Sequence, residues 1–211
     1  LSVNLIGISK NYKSFGTTSL NNIGTNNTPF DYFGFSLNPE KLQESDYSSE
    51  RAIPEAILTT GLADGRSNVN NQFFANYNAI FNLSKSVDLK TNLYFLNDKL
   101  KGEVLNENQI RFLNDELSTS DLKNVIKNPL QIRGDLNLKW NPTENSLLEY
   151  ELKMRNERIM TNSKILANEE NFFESNLLSK EKMINQKIIL TKKIRETKAL
   201  QFSTLLALNS L

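Results

Sequence analysis

Two neighbouring segments decide the fold: LQIRGDLNLKW at residues 130–140 and LEYELKMR at residues 148–155. Apolar and polar residues alternate in both, and successive side chains of a β-strand point to opposite faces of a sheet. A helix is excluded, because its period of about 3.6 residues would scatter the charged side chains around the cylinder. The segments flank the polar link NPTEN at 141–145. We therefore predict a β-hairpin with one apolar and one polar face.

The predicted hairpin assigns nine side chains to the apolar face and seven charged side chains to the polar face. The apolar set, predicted to face lipid, is Leu130, Ile132, Leu136, Leu138, Trp140, Leu148, Tyr150, Leu152 and Met154. The charged set, predicted to face a lumen and to contact a ligand, is Arg133, Asp135, Lys139, Glu149, Glu151, Lys153 and Arg155. These charges could also form ion pairs that only hold the wall together, or could simply face water.

Alternation alone allows two environments for such a ribbon. In a soluble sandwich or barrel the apolar face would turn inward to a core. In an outer-membrane barrel it would turn outward to lipid, and the polar face would line a wet interior. Composition and loop lengths bear on this choice.

Composition excludes several function classes. The 211 residues include 25 basic and 24 acidic side chains, with a net charge of +1 and no Cys or His. We expect no nucleic-acid partner, since there is no basic stripe with interleaved aromatic residues. Without Cys and His, disulfides, thiolate metal sites and the commonest general base are excluded. We predict no enzyme activity, no metal and no cofactor. The apolar content of 38% suits a membrane barrel, where only alternate residues meet lipid.

Similar alternation elsewhere brings the expected total to about eight strands. The predicted connections are short near residues 9–14, 84–86, 141–145 and 193–198, and long at 24–68, 97–127 and 156–176. In an up-and-down meander, all short turns then lie at one end and all long loops at the other. Outer-membrane barrels show this asymmetry, with short periplasmic turns and long extracellular loops. Within the long connections we expect a short helix at 38–43 and a helical turn at 120–126.

The predicted fold class is therefore all-β: an antiparallel up-and-down transmembrane β-barrel. Residues 1–211 form a single segment of this barrel domain, in the cell outer membrane. The loop pattern would place both ends of the segment outside the cell, so we expect further strands and a larger barrel. Trp140 and Phe81 lie near the short-turn end, where an aromatic girdle is expected.

Two further stretches carry a family resemblance: SLNNIG at residues 19–24 and NQFFANYNAIFNLSKSVDLKTNLYF at residues 71–95. The pattern of residue types along their strands resembles that of the barrel of TonB-dependent-receptor-like outer-membrane proteins. It is most similar to large transporters that also bear a carboxypeptidase-regulatory-like domain. The resemblance implies a barrel of about 22 strands around a plug. It also implies ligand uptake across the outer membrane, driven by a TonB-type energising protein.

Two other functions stay open at this point. The barrel could be a structural subunit that anchors a multiprotein cell-envelope complex, with a surface lipoprotein or other envelope subunits as partners. The chain could also be a soluble all-β binding domain with its apolar faces turned inward. Outer-membrane lipid is the expected partner of the transporter and of the structural barrel subunit, but not of the soluble domain.

Overall fold

Long β-strands make up nearly all of the chain for which the computed structural model describes a conformation, which is residues 1–24, 68–112, 115–168, 171–195 and 198–210. The strands are β1 Ser2–Ile8, β2 Tyr12–Asn21, β3 Asn68–Val69, β4 Gln72–Ser84, β5 Val87–Asn97, β6 Leu100–Phe112, β7 Asp115–Thr143, β8 Ser146–Ala167, β9 Asn171–Arg195 and β10 Lys198–Ser210. The described residues include no helix with the length and hydrophobicity that a membrane crossing needs.

The strands form one antiparallel sheet in the order β1-β2-β4-β5-β7-β8-β9-β10, with β6 paired to both β3 and β7. Consecutive long strands are neighbours, as in a meander. The sheet is not closed among the described residues: β1 and β10 end its main path, and β3 is a further edge beside β6. The all-β, antiparallel class is thus confirmed, while a closed transmembrane barrel stays a prediction.

The central hairpin forms between β7 and β8 as the alternation predicted. Leu136 pairs with Leu152, and Asn137 pairs with Glu151 in the next position. Directly opposite residues of an antiparallel pair lie on the same face, so this register keeps apolar with apolar and polar with polar side chains.

Two of the three predicted long connections are wrong. The described residues of 97–127 form the end of β5, β6 and the first part of β7, and those of 156–176 form the second half of β8 and the start of β9. The helical turn expected at 120–126 is also wrong, since these residues are extended and pair with β6 and β8. The third connection, 24–68, lies outside the described residues except for its two ends, and so does the helix expected at 38–43.

Both β3–β4 and β5–β6 behave as single strands with a short break. The pairing of Phe73 with Asn97 continues across the break as Asn68 with Gly102, without a change of register. Opposite this break lies Pro129 of β7, which has no backbone N–H to donate to a neighbouring strand. Its carbonyl oxygen instead accepts the backbone N–H of Asp98 at 3.1 Å. We call this position the break level.

Buried polar groups hold the break level together. The Asp98 carboxylate accepts the backbone N–H of Asn71 at 2.9 Å and that of Lys99 at 2.7 Å. The Asn70 side-chain oxygen accepts the backbone N–H of Gly24 at 2.9 Å. Asn70 and Asp98 are each only 3% exposed. Their side chains therefore replace the ladder hydrogen bonds that the break interrupts.

Candidate functional site on the polar face

The candidate site is the polar face of the central strands, where the register collects the predicted charged residues. All seven charged residues predicted to line a lumen lie on this face, and all nine residues predicted to face lipid lie on the other. The structure therefore supports the two-faced geometry. Contact with a ligand or with lipid remains a prediction for both sets.

At and just below the break level the polar face is the more buried one, which is the reverse of an ordinary soluble sheet. Gln131 on the polar face is 2% exposed, whereas its chain neighbour Ile132 on the apolar face is 47% exposed. The same contrast holds in β9, where Met183 is 2% and Ile184 is 40% exposed. In this part of the sheet, side chains thus crowd together on the polar face and are left open on the apolar face.

Ion pairs join several of the predicted charged residues. Lys139 Nζ lies 3.6 Å from Glu149 Oε1 across the β7–β8 pair, and Arg133 Nε lies 3.3 Å from Asp135 Oδ2 along β7. Arg155 forms a mostly buried ion pair with Glu181 of β9. These contacts favour the structural role for part of the set, because they satisfy the charges within the sheet.

Other members of the set remain available to a solute. Within the described part of the chain, Glu151 accepts one hydrogen bond, a long one of 3.5 Å from the Asn137 side chain. Lys153 lies opposite Asp135 and Asn185 in the register, yet it makes no ion pair within the described part of the chain. Lys153 and Glu151 are therefore better candidates for solute contact than Arg155.

A buried polar cluster adjoins these charges and was not found from the sequence. The Gln131 side-chain amide donates to Glu157 Oε2 at 2.5 Å, and the register places Glu181 next to Glu157 on β9. The Arg133 guanidinium lies 5.9 Å from the centre of the Tyr94 ring, a cation–π contact. The sequence signal was weak, because Glu157 and Glu181 fall where the apolar alternation of their strands fades.

Several buried oxygens in this region have no hydrogen-bond partner among the described residues. They are Gln131 Oε1, Thr161 Oγ1 and Asn185 Oδ1. A buried polar atom without a partner costs free energy, so such atoms commonly bind water or a polar ligand. The polar face therefore offers acceptors that a hydroxyl-bearing or amide-bearing solute could satisfy.

A small apolar cluster closes the site towards the break level. Phe74, Leu96, Leu100 and Ile159 pack together there, with Tyr94 against them. The Phe74 and Tyr94 rings stack with their centres 6.5 Å apart. The site thus combines amides and paired charges with an aromatic edge.

Comparison with known proteins gives no further assignment. No protein-family model, curated protein or solved structure matches this chain. The described residues also contain no group of three or more acidic side chains placed to hold a metal ion. By its geometry the site can form hydrogen bonds with a polar solute, on a sheet face whose positive and negative charges nearly balance.

Proposed function

We propose that this chain forms part of the wall of an outer-membrane β-barrel transporter of the TonB-dependent type, with lipid outside and a polar solute inside. One cross-strand row supports this proposal above all. The row crosses all eight strands of the sheet path through directly paired residues: Leu5, Gly16, Tyr77, Leu93, Gly134, Met154, Ile184 and Leu208. It contains no charged and no amide side chain.

The next row along the strands, on the opposite face, has the contrary character. Its central members are Asn78, Asn92, Asp135, Lys153 and Asn185, paired in that order across five strands. A sheet that is mainly apolar on one face and rich in amides and charges on the other suits a boundary between an apolar and a wet environment.

The exposure of the apolar row supports lipid as the environment on that side. Leu93, Met154 and Leu208 are about half exposed. No layer of described residues packs over them, because every extensive contact in the described part is between paired strands. An apolar surface across eight strands is far larger than a soluble monomer leaves open. Lipid accounts for it without another protein layer.

The length of the apolar stretch fits a bilayer. In β7 the apolar face runs from Leu130 to Trp140, ten residue steps of about 3.4 Å and hence about 34 Å along the strand. At the strand tilt of about 40° found in such barrels, its height is about 26 Å. That agrees with the apolar band of about 25 Å in outer-membrane barrels.

Aromatic residues mark both ends of this stretch. Tyr12 and Phe81 lie near the short turns with their ring centres 5.0 Å apart, and Trp140 lies at the same end. Phe73 and Phe95 lie near the break level, with ring centres 5.8 Å apart. Two aromatic levels on the apolar face are typical of membrane interfaces.

A second candidate function is a structural barrel that anchors an envelope complex. The feature that favours it is the extension of β6, β7, β8 and β9 beyond the break level. In β7 this extension comprises residues 115–128. This ribbon is longer than a bilayer crossing requires and offers paired strands to a partner. Both candidates share the lipid-facing wall.

Spin labels on single cysteines test that wall, because the described chain contains no cysteine of its own. Labels are placed at 132, 136 and 138 and, as matched neighbours, at 133, 135 and 137 in the full-length protein in lipid vesicles. We expect the first set to collide mainly with oxygen and the second mainly with a water-soluble nickel chelate. Shielding of the first set from both probes would mean a protein core instead, and the soluble all-β domain would replace this proposal.

A further inference from the structure

Three basic side chains gather on the apolar face at the level where its apolar stretch ends. Arg158 of β8 is directly opposite Lys180 of β9, and Lys182 is directly opposite Asn156 one row nearer to the apolar stretch. All three are exposed. The row of Arg158 continues into Leu130 of β7, so the cluster lies at the height of the break level.

Among the described residues, this basic cluster has no counter-charge next to it on its face. Its neighbours on the same face are neutral: Leu130, Ile132, Met154, Asn156, Met160, Leu178, Ile184 and Ser210. The described residues supply no ion pair to Arg158, Lys180 or Lys182. Like charges directly opposite each other in an antiparallel pair are destabilising. An anion supplied from outside would remove that repulsion.

A nearby pair on the same face shows the contrast. Three positions beyond Arg158 on that face of β8, Lys164 lies 3.7 Å from Glu174 of β9. There the sheet supplies its own carboxylate, so no external anion is needed. On the same face of β8 and β9, Lys164 is therefore neutralised by a carboxylate of the sheet, whereas the basic cluster is not.

We propose that Arg158, Lys180 and Lys182 bind the phosphate of a membrane lipid whose acyl chains lie along the apolar row at Met154 and Ile184. This site rests on the proposed function, since it requires the apolar face to meet lipid. Guanidinium and ammonium groups are the usual protein partners of phosphate, and Arg can bind it through two parallel hydrogen bonds. An amphiphile fits better than a free anion, because the cluster adjoins apolar side chains on one side.

The test measures lipid retention by native mass spectrometry of the full-length protein in neutral detergent. The probe is phosphatidic acid, and the matched control lipid is diacylglycerol with the same acyl chains. We expect selective retention of phosphatidic acid. The triple variant R158Q/K180Q/K182Q should weaken it on the order of 100-fold, because each basic residue near an anionic lipid surface contributes roughly five-fold.

Two variants control for folding and for general charge. The charge-conserving variant R158K/K180R/K182R should retain phosphatidic acid as the unmodified protein does. The variant K164Q removes a basic residue from the same face and should leave retention unchanged. An equal loss in K164Q, or displacement of phosphatidic acid by inorganic phosphate at equal concentration, would overturn the lipid site.

A spin label at position 138 in the same preparations separates the two proposals. If that label favours oxygen and the triple variant still retains phosphatidic acid, the lipid site is wrong and the membrane wall stands. If that label is shielded from oxygen and from nickel, the membrane wall itself is wrong. Selective loss in the triple variant together with an oxygen-exposed label supports both.

Discussion

The backbone N–H of Asp98 donates a hydrogen bond of 3.1 Å to the carbonyl oxygen of Pro129. This bond spans the break level and keeps β5 and β6 in one register along β7, since Asn97 pairs with Leu130 and Leu100 pairs with Lys127. On the apolar face, the first charged side chains appear at about this level. The break therefore separates the part of the sheet proposed to cross lipid from the part that extends beyond it.

Replacing Asp98 should loosen the extension. We expect Asp98→Ala to lower the free energy of opening β6 by about 2–4 kcal/mol, because hydrogen bonds to a charged acceptor contribute about 1.5–3 kcal/mol each. Hydrogen exchange followed by mass spectrometry should show faster exchange in peptides from β6. Asp121→Ala, in the neighbouring stretch of β7, is the control and should not change it. Unaltered exchange in the Asp98 variant would contradict the role given to its carboxylate.

Breaking the Arg155–Glu181 ion pair should lower the free energy of unfolding strongly, whereas replacing both residues by an apolar pair should change it little. Glu181→Gln or Arg155→Met alone breaks this mostly buried ion pair, and we expect a loss of about 3–5 kcal/mol in stability. The double variant R155M/E181M should recover most of that loss, since well-packed apolar pairs often match a buried ion pair. Unfolding of the full-length protein in urea measures all three variants. Additive losses in the double variant would argue against direct coupling.

An added charge should destabilise the protein on the apolar face of the sheet but not on the polar face. Leu136→Arg places a guanidinium on the apolar face, where a basic residue near the bilayer midplane costs about 2–4 kcal/mol. Asn137→Arg places the same group on the polar face opposite Glu151, and we expect a change below about 0.5 kcal/mol. Folding yield in lipid vesicles, read from the heat-dependent shift on gels, compares them. Similar losses for both variants would contradict the two-faced assignment.

Gln186 is the one amide in the middle of the apolar face of β9, between Leu152 and Leu206. Its side chain makes no hydrogen bond to the described residues, so we expect Gln186→Leu to stabilise the protein by about 1 kcal/mol. Gln201→Leu is the matched control, because Gln201 lies on the opposite face of the adjacent strand. The prediction would be contradicted if, in the same urea experiment, Gln201→Leu stabilised the protein and Gln186→Leu did not.

The strands of the central hairpin could be predicted because one of their faces is consistently apolar. Leu136 and Leu138 define that face without ambiguity, but the exact register with Tyr150 and Leu152 comes only from the structure, because alternation fixes the face and not the pairing. The same reasoning placed all seven charged residues of the candidate site on one face. It did not give their partners, because Arg155 pairs with Glu181, which lies 26 positions further along the chain.

The extension could not be predicted in the same way. Residues 106–109 read Asn-Glu-Asn-Gln, so polar side chains point to both faces of β6 and no alternation remains to be seen. Its conformation is fixed by pairing with β7. The buried position of Gln131 and Glu157 was hidden for a related reason: alternation tells which side chains share a face, but not how closely that face is crowded.

The unchanged register at the break level restricts how the chain length can vary there. Since faces alternate with a period of two, inserting one residue between Asn97 and Leu100 would turn every side chain of β6 to the other face of the sheet. Inserting two residues would restore the original assignment. Natural or engineered insertions between Asn97 and Leu100 should therefore be tolerated when they add an even number of residues, as long as the backbone N–H of Asp98 still reaches the carbonyl oxygen of Pro129.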